Sequence, residues 1–307
     1  MKLPTRFLDV LRSSRLSTST IVFAVFLAVS TVWAFWPPLA TMVERWATDP
    51  HYSHGFLVPL FAAFLLWIRR DQFTAPGLIP SWWGVVLMAV GATLELAGGY
   101  IYLPWLQDAA FIPMITGLVV LIGGRPWLRW AWPSLLFLVF MVPLPYSVEH
   151  AVGEPLQKVA TLTSTFFLQT MGLPAVSEGY VIHIDEASIG VVDACNGLGM
   201  LVMFVAFATA TVFVVQRPLA DKAFILVTAI PIAVGANILR ITLTGLLHAT
   251  VGGRTADWFY HEMAGWLMMP LALGMLWLEL YLLAHLLIEP SPGKALPVVA
   301  GYGPSRR

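Results

Sequence analysis

A single thiol is the most reactive side chain that the sequence offers. Cys195 is the only cysteine among 307 residues, and it lies in the stretch VVDACNGLGM between Asp193 and Asn196. A thiolate becomes a strong nucleophile when a helix N-terminus or a nearby cation lowers the pKa of the thiol. Gly197 and Gly199 would let a substrate backbone approach closely. A lone cysteine is often only packing, so both interpretations stand at this point.

Two further residues could complete a nucleophilic site. Arg240 lies in the apolar stretch PIAVGANILRITLTGLLHA, with Asn237 three residues earlier on the same helical face. His261 begins the last apolar segment, in WFYHEMAGW. A thiol, a cation and a base at one depth suit nucleophilic catalysis. The alternatives are that the arginine snorkels to lipid headgroups and that the histidine is an interface anchor.

The composition predicts an integral membrane protein. The chain is 58% hydrophobic and 11% charged, with mean hydropathy +0.79, whereas soluble domains carry about 25% charged residues. A net charge of zero gives no indication of nucleic-acid binding. One cysteine excludes an internal disulfide and any multi-cysteine metal site. We expect no metal and no organic cofactor.

Apolar runs predict an all-α polytopic fold of about eight transmembrane helices. Each run approaches the 20 or so residues that cross a bilayer core. A weaker segment, 155–172, is predicted to be an interfacial helix, apolar on one face and rich in Thr and Gln on the other. The eight predicted spans are 19–41, 55–68, 82–99, 107–122, 130–145, 195–215, 223–247 and 263–287.

The basic residues orient this arrangement. With both termini cytoplasmic, thirteen Lys and Arg fall inside and three outside, with Arg240 within a span. Cytoplasmic loops prefer basic residues, so this topology is favoured. Six of the seven histidines then lie at the outer side. These are His51, His54, His150, His183, His248 and His261, with His285 inside.

The remaining segments complete the predicted organisation. The sequence predicts a short β-hairpin on the outer face. Its first strand is the alternating stretch Tyr180–Ile184, its turn is Asp185–Ala187, and its second strand is the run Ile189–Val192. Residues 1–18 are predicted to be a cytoplasmic N-terminal segment, 19–289 a single transmembrane catalytic domain, and 290–307 a disordered cytoplasmic tail.

Other polar residues receive lesser roles. His51 and His54 precede the second predicted span in HYSHGFLVPL. A metal pair is conceivable there, but a structural or substrate-orienting role is favoured because Asp49 is the only nearby carboxylate. Glu95 and Glu279 lie within spans, where helix–helix hydrogen bonds are favoured over a proton pathway.

Taken together, these motifs resemble the exosortase/archaeosortase family of membrane-embedded cysteine transpeptidases. The resemblance runs over roughly residues 49–289. It rests on YSHGFLVPL, MVPLPYSVEHAVGEPLQKVA, the EGYVI strand, DACNGLGM, NILRITL and HEMAGW, which occur in family order. Many relatives have Ser-Gly after the cysteine, where this chain has Asn196 and Gly197.

The resemblance implies a sorting enzyme in the bacterial inner membrane, with its active site facing the periplasm. The family's catalytic residues map onto Cys195, Arg240 and His261. His54, Asn196, Asn237 and Asp193 are candidates for substrate-binding or supporting roles. The implied substrates are exported proteins ending in a short motif of the Pro-Glu-Pro type (PEP-CTERM-like), a transmembrane helix and a basic tail. A lipid or glycan amine would be the acceptor in transpeptidation, and water would make the enzyme a protease.

Two other functions remain open on the residues alone. A transporter or channel would use Arg240, Glu95 and Glu279 as a polar pathway and leave Cys195 dispensable. A non-catalytic scaffold for envelope-polysaccharide assembly would need none of them. The absence of a sequence repeat and the gathering of polar residues at one face favour the enzyme.

Overall fold

The architecture is mostly helical, with one small sheet. The computed structural model describes residues 18–73, 79–184, 187–190, 197–215, 217–251 and six positions between 270 and 281. The helices are α1 (Thr18–Ala34), α2 (Trp36–Thr48), α3 (Leu57–Ile68), α4 (Trp83–Tyr100), α5 (Pro104–Phe137), α6 (Tyr146–Thr170), α7 (Leu198–Val214) and α8 (Leu219–Thr250). Short 3-10 helices cover Pro50–Phe56, Arg69–Gln72 and Leu138–Met141, and the strands are β1 (Ala175–Glu178), β2 (Val181–Ile184) and β3 (Ala187–Gly190).

Within the described residues, four helical segments are long and apolar enough to cross a membrane. They are His51–Gln72, Trp83–Tyr100, Pro104–Met141 and Leu219–Thr250, and the bent pair Val22–Ala34 and Trp36–Thr48 brings the number to five if it is one span. Large apolar side chains such as Phe26, Trp33, Leu60 and Leu96 point outward and are exposed, as lipid-facing side chains are. The chain is therefore a membrane protein, although the predicted eight spans are not confirmed.

The long segment Pro104–Met141 doubles back on itself at Gly124. That glycine has φ 62° and ψ −155°, which no helix tolerates. Phe111 packs on the same core cluster as Leu138, yet a straight helix would hold these residues about 40 Å apart. The two arms therefore lie side by side, at the places where the sequence predicts the separate spans 107–122 and 130–145.

The predicted span 19–41 is interrupted. The axes of its two helices meet at 60°, and α2 carries Pro37 and Pro38 in its first turn. Proline lacks the amide hydrogen and clashes with the preceding turn, so α1 cannot continue through this point. The two helices therefore form either one broken span or a re-entrant pair.

The bundle has a basic end and an opposite end, which we call the site end. At the basic end, Arg69 Nε donates to the Trp130 carbonyl at 3.1 Å, and the Trp132 and Phe213 rings meet at 5.5 Å. At the site end, Trp46 Nε1 donates to the Met141 carbonyl at 3.0 Å. The basic end is defined by Arg69, Arg70, Arg125, Arg129, Arg217 and Lys222.

The sheet is larger than the predicted hairpin. Strands β2 and β3 pair antiparallel, as predicted, with Ile184 opposite Ala187, and the turn residues 185–186 lie outside the described part of the chain. A third strand, β1, pairs with the other edge of β2. The prediction missed β1 because AVSE is short and contains little β-branched or aromatic sequence.

Helix α6 packs its polar face inward. Gln157, Thr161, Ser164 and Thr165 are buried, whereas apolar residues such as Leu162 and Phe166 are exposed. The helix starts at Tyr146, directly after Pro145, and not near 155 as predicted, because Pro155 is accommodated inside it. It is not among the candidate spans, and its interfacial position stays a prediction.

Candidate active site

Helix α8 brings Asn237 and Arg240 to the site end. The helix begins at Leu219, beside the Arg217–Asp221 ion pair of the basic end. Eighteen residues later, after a rise of about 27 Å, it reaches Asn237, which is only 2% exposed. Arg240 follows on the same face and is half-buried. This distance is close to the thickness of a bilayer core.

The start of α7 lies directly against Asn237. Gly197 caps α7 with φ 79°, a left-handed conformation that favours glycine. A Cβ added to Gly197 would lie 3.0 Å from Asn237 Nδ2 and 3.8 Å from Leu156 Cβ. Helix α7 therefore begins at Leu198, after Gly197, and not at Cys195 as predicted, since the left-handed cap ends the helical run.

The 3-10 helix Pro50–Phe56 forms the other side of this junction. Asp49 caps it, because Asp49 Oδ1 accepts from the His51 amide at 2.9 Å. Tyr52 connects this helix to the chain that follows α5, because Tyr52 Oη accepts a hydrogen bond from the Leu144 amide at 3.2 Å. The segment HYSHGF is therefore held rigidly at the site end.

The two histidines of this segment face different surroundings. His54 is 5% exposed, and its Nε2 donates to the Phe140 carbonyl at 3.2 Å. It lines an apolar cavity of about 290 Å³ between α3 and α7. His51 instead packs on α7: a Cβ added to Gly199 would lie 2.8 Å from His51 Cδ2 and 2.9 Å from its Cα.

The structure brings some of the predicted site residues together. Asn237 and Arg240 share one face of α8 at the point where Gly197 enters α7. His54 is at the same end of the bundle, but its ring donates its hydrogen bond to a backbone carbonyl, that of Phe140. The other predicted residues, Cys195, Asp193, Asn196 and His261, lie outside the described residues.

Only chain connectivity relates Cys195 to this junction. It stands two residues before Gly197, and two extended residues span at most about 7 Å. No such limit applies to His261.

Sequence reasoning gave His51 and His54 a structural or substrate-orienting role beside Asp49 and named only His54 among the supporting site residues. In the structure, His51 Nδ1 lies 3.2 Å from Asp49 Oδ1, and the His51 side chain is 12% exposed. The available signal was the spacing Asp-Pro-His, which lets the carboxylate of a helix cap reach the ring two residues later.

Buried polar groups concentrate around this junction. Eight of the eleven buried polar residues in the described part of the chain lie in the 3-10 helix Pro50–Phe56, in α6 or in the second half of α8. Burying polar groups is costly unless they are hydrogen-bonded, and Thr161, Thr165, Thr242 and Thr244 all donate to carbonyls of their own helices. Within the described residues, no group of three His, Cys, Asp or Glu side chains could hold a metal ion. The eight are His54, Gln157, Thr161, Ser164, Thr165, Asn237, Thr242 and Thr244.

Comparison with known proteins agrees with the motifs and their placement. No curated protein and no solved structure matches the chain. The family model for the transmembrane exosortases, Exosortase_EpsH, matches residues 46–278. This range contains the 3-10 helix with His51 and His54, the glycine-rich entry into α7, and α8 with Arg240. The chain therefore belongs to the transmembrane exosortase family.

Proposed function

We propose that this protein is a cysteine transpeptidase or protease that cleaves the C-terminal sorting signal of exported proteins. One observation carries the proposal: Gly197, two residues after Cys195, touches Asn237 one turn from Arg240. A thiol and a guanidinium then share one corner of the site end. Membership of the exosortase family supports the same activity.

The reaction would begin with attack of the Cys195 thiolate on the scissile carbonyl carbon. Arg240 would stabilise the oxyanion of the tetrahedral intermediate and favour the ionised thiol. Protonated His261 would give its proton to the leaving amine as the C–N bond breaks. A thioester of Cys195 results. The incoming nucleophile would then give a proton to His261 as it attacks, and the thiolate would leave.

The substrates would be exported proteins ending in a short motif of the PEP-CTERM type, a transmembrane helix and a basic tail. The basic end of the bundle would lie at the cytoplasmic face of the bacterial inner membrane, in keeping with the preference of that side for Lys and Arg. A substrate with a basic cytoplasmic tail would then present its motif to the site end at the periplasmic face. The acceptor would be a lipid or glycan amine in transpeptidation, or water in hydrolysis.

The test is processing of a tagged substrate coexpressed with the enzyme. The substrate is a candidate protein with the motif, helix and basic tail, and its size shift on a gel reports cleavage. Cys195→Ala should abolish the shift. Arg240→Lys should reduce the rate by about 10²-fold or more, since the loss of one oxyanion donor has that effect. His261→Ala should reduce it severely.

The matched controls are conservative changes at the basic end. Arg129→Lys repeats the arginine substitution far from the site and should leave processing unchanged. Normal processing by Cys195→Ala would end the proposal. Processing that falls equally in Arg129→Lys and Arg240→Lys would show that the arginine effect concerns membrane insertion and not chemistry.

A further inference from the structure

A long apolar cavity lies between α2, α3 and the two arms of α5. Its volume is about 680 Å³, within the range of pockets that hold small molecules. It extends from Trp46 and Met141 at the site end to Leu66, Trp127 and Trp130 at the basic end. Protein interiors contain few voids larger than a water molecule, so a space of this size indicates an occupant.

The cavity opens on the outer surface of the bundle. Val43 of α2 and Ala63 of α3 line it and are exposed, and none of the six described positions between 270 and 281 is among its lining residues. Met275, one of those six, packs against α7 and α8 instead. Within the described part of the chain, the open side of the cavity therefore faces the lipid.

The dimensions of the cavity suit a hydrocarbon chain better than a helix. From Trp127 to Met141, the second arm of α5 and the 3-10 helix after it rise roughly 20 Å, whereas one leaflet of a bilayer core is about 15 Å deep. A helix of 20 Å is about 10 Å across and fills roughly 1,600 Å³, more than twice the volume of this cavity. A helix of a substrate or of a second copy cannot enter it, but a single acyl chain can.

The basic end of the cavity has a cation available for an anionic group. Arg70 follows Leu66 by one turn, and its guanidinium lies over the Trp67 ring and donates to the Trp67 carbonyl at 3.0 Å. A guanidinium has five N–H donors, and Arg70 forms no ion pair with any residue that the structure describes. Arg69 lies beside it, and Asp71 is the one acidic residue in the 3-10 helix Arg69–Gln72.

The opposite end of the cavity has no such excess of positive charge. There Val43 is followed directly by Glu44 and Arg45, one acid and one base. A phosphate would therefore be favoured at the basic end, which also has more of the tryptophan that is enriched at membrane interfaces. This asymmetry sets the direction in which a lipid would lie.

Trp127 presents a hydrogen-bond donor at the basic end. Its Nε1 is buried and has no partner among the described residues, although buried Trp N–H groups usually have one. The neighbouring Trp130 differs, because its Nε1 donates to the Arg69 carbonyl at 2.9 Å. Phe73 holds Trp127 near Arg70: its ring meets the Trp127 ring at 5.5 Å, and its amide donates to the Arg70 carbonyl at 3.1 Å.

We propose that this cavity binds one anionic glycerophospholipid with its headgroup at the basic end. One acyl chain fills the cavity, an ester carbonyl oxygen accepts from Trp127 Nε1, and the phosphate lies beside Arg70. In such a lipid the ester carbonyls lie directly between the chains and the phosphate, which is the order of the three contacts along the cavity. The site is remote from Asn237 and Arg240, so the inference stands whether or not Cys195 is the nucleophile.

The experiment measures lipid affinity by native mass spectrometry of the delipidated full-length protein in detergent. The two probes are dioleoyl phosphatidylglycerol and dioleoyl phosphatidylcholine, which have the same chains and ester groups but differ in net charge. We expect one molecule of phosphatidylglycerol to bind about fivefold more tightly than phosphatidylcholine, since attraction to one nearby arginine corresponds to about that factor.

Three substitutions should each give a different pattern. Arg70→Gln should weaken phosphatidylglycerol binding about fivefold and leave phosphatidylcholine unchanged, which removes the preference. Trp127→Phe should weaken both lipids about fivefold, because both lose the same hydrogen bond. Ala63→Trp, which places an indole in the cavity, should abolish specific binding of both.

The matched controls lie at the same end of the bundle but outside the cavity. Arg129→Gln removes an exposed arginine on the other face of the second arm of α5. Trp132→Phe removes the indole N–H of a tryptophan that packs on Phe213. Val86→Trp adds an indole to the exposed surface of α4. All three should bind both lipids as the wild type does.

Several outcomes would overturn the proposal. Equal affinity of the wild type for the two lipids, or a preference that persists in Arg70→Gln, would exclude the anionic headgroup. Wild-type binding by Ala63→Trp would place the lipid outside the cavity, and Leu66→Trp at the mouth decides the matter if Ala63→Trp does not fold. If Ala63→Trp kept its lipid but blocked processing of the tagged substrate, the cavity would belong to the substrate.

Discussion

Glycine serves two different purposes in two regions of this bundle. In the α4–α5 hairpin, glycines meet the backbone of the facing helix: a Cβ on Gly91 would lie 2.9 Å from the Met114 amide nitrogen, and one on Gly117 would lie 2.7 Å from the Gly84 carbonyl. At the entry to α7, a Cβ on Gly197 would meet the side chain of Asn237, and one on Gly199 would meet both the ring and the Cα of His51. The first pattern allows helices to pack closely, and the second gathers polar groups around a backbone.

The contrast is the reason for assigning the proposed chemistry to the entry of α7. Close backbone packing through small residues is how membrane helices associate, and the hairpin needs nothing more. The α7 entry brings an imidazole and an amide next to a chain segment two residues from the only thiol. Substitutions in the hairpin should therefore change stability without touching the reaction, whereas substitutions at the entry should do the reverse.

The largest effect is expected in the hairpin. Gly84→Val places side-chain atoms into the Leu121 backbone, and overpacking of this kind costs about 3 kcal/mol. We expect loss of most folded protein, measured as the monodisperse fraction after detergent extraction and as the thermal transition.

The control for Gly84→Val is Gly235→Ala, a substitution of another helical glycine, in α8. Nothing lies within 4 Å of a Cβ at Gly235, so the substitution should raise stability by about 0.5–1 kcal/mol. If Gly84→Val folded as well as Gly235→Ala, the hairpin would not be closely packed. The contrast between the two regions would then be lost.

Next in size is the effect of Asn237→Ala at the α7 entry. A lost hydrogen bond is worth about 1 kcal/mol, and a loss of about 1.4 kcal/mol of transition-state stabilisation slows a reaction about tenfold. We expect substrate processing to slow about tenfold or more, measured by the gel shift, with a thermal transition close to that of the wild type.

Thr228→Val on the same helix is the control for Asn237→Ala. Thr228 Oγ1 bonds to the carbonyl of its own helix at Phe224, so this variant should process substrate normally. Equal slowing in both variants would place the effect in α8 as a whole and not at the entry to α7.

A smaller effect is expected where α6 joins α8. Ser164 Oγ donates to the Ile238 carbonyl at 3.2 Å, and one such bond contributes about 1 kcal/mol. Ser164→Ala should lower the thermal transition by a few degrees and slow processing only slightly. Thr170→Val, which removes an exposed bond within α6 itself, should change neither. An unchanged transition in Ser164→Ala would show that this contact does not hold the site together.

The smallest effect is expected at the basic end. Arg70 is half-buried and lies over the Trp67 ring at 4.3 Å from its centroid, an interaction worth about 0.5–1 kcal/mol near the surface. Arg70→Gln should leave processing unchanged and alter the thermal transition only marginally. A processing defect in Arg70→Gln as large as that of Arg240→Lys would contradict the assignment of the site to the other end.

The sequence predicts helices well where hydropathy alone decides them. The span 82–99 matches α4, and the pair 107–122 and 130–145 matches the two arms that meet at Gly124. It does not indicate the 60° bend between α1 and α2, which the two prolines cause. It also misses β1, because the four residues AVSE contain little β-branched or aromatic sequence.

For the candidate site, sequence identifies residue types better than contacts. Arg240 and Asn237 could be placed together because residues three positions apart on one helix share a face. The choice between His51 and His54 could not be made in the same way. It depends on the direction of each ring: the His54 ring faces the Phe140 carbonyl, and the His51 ring faces Gly199. Packing between elements that are far apart in sequence sets these directions.

The most direct test of the account is whether Cys195 lies beside the Asn237–Arg240 face. A second cysteine is introduced at Asn237 or, nine residues deeper in α8, at Thr228, and each purified double-thiol protein is treated with a short bismaleimide. Peptide mass spectrometry then detects cross-links within one chain. The account predicts an efficient link between Cys195 and position 237 and none with position 228. The reverse pattern, or no link at position 237, would contradict it.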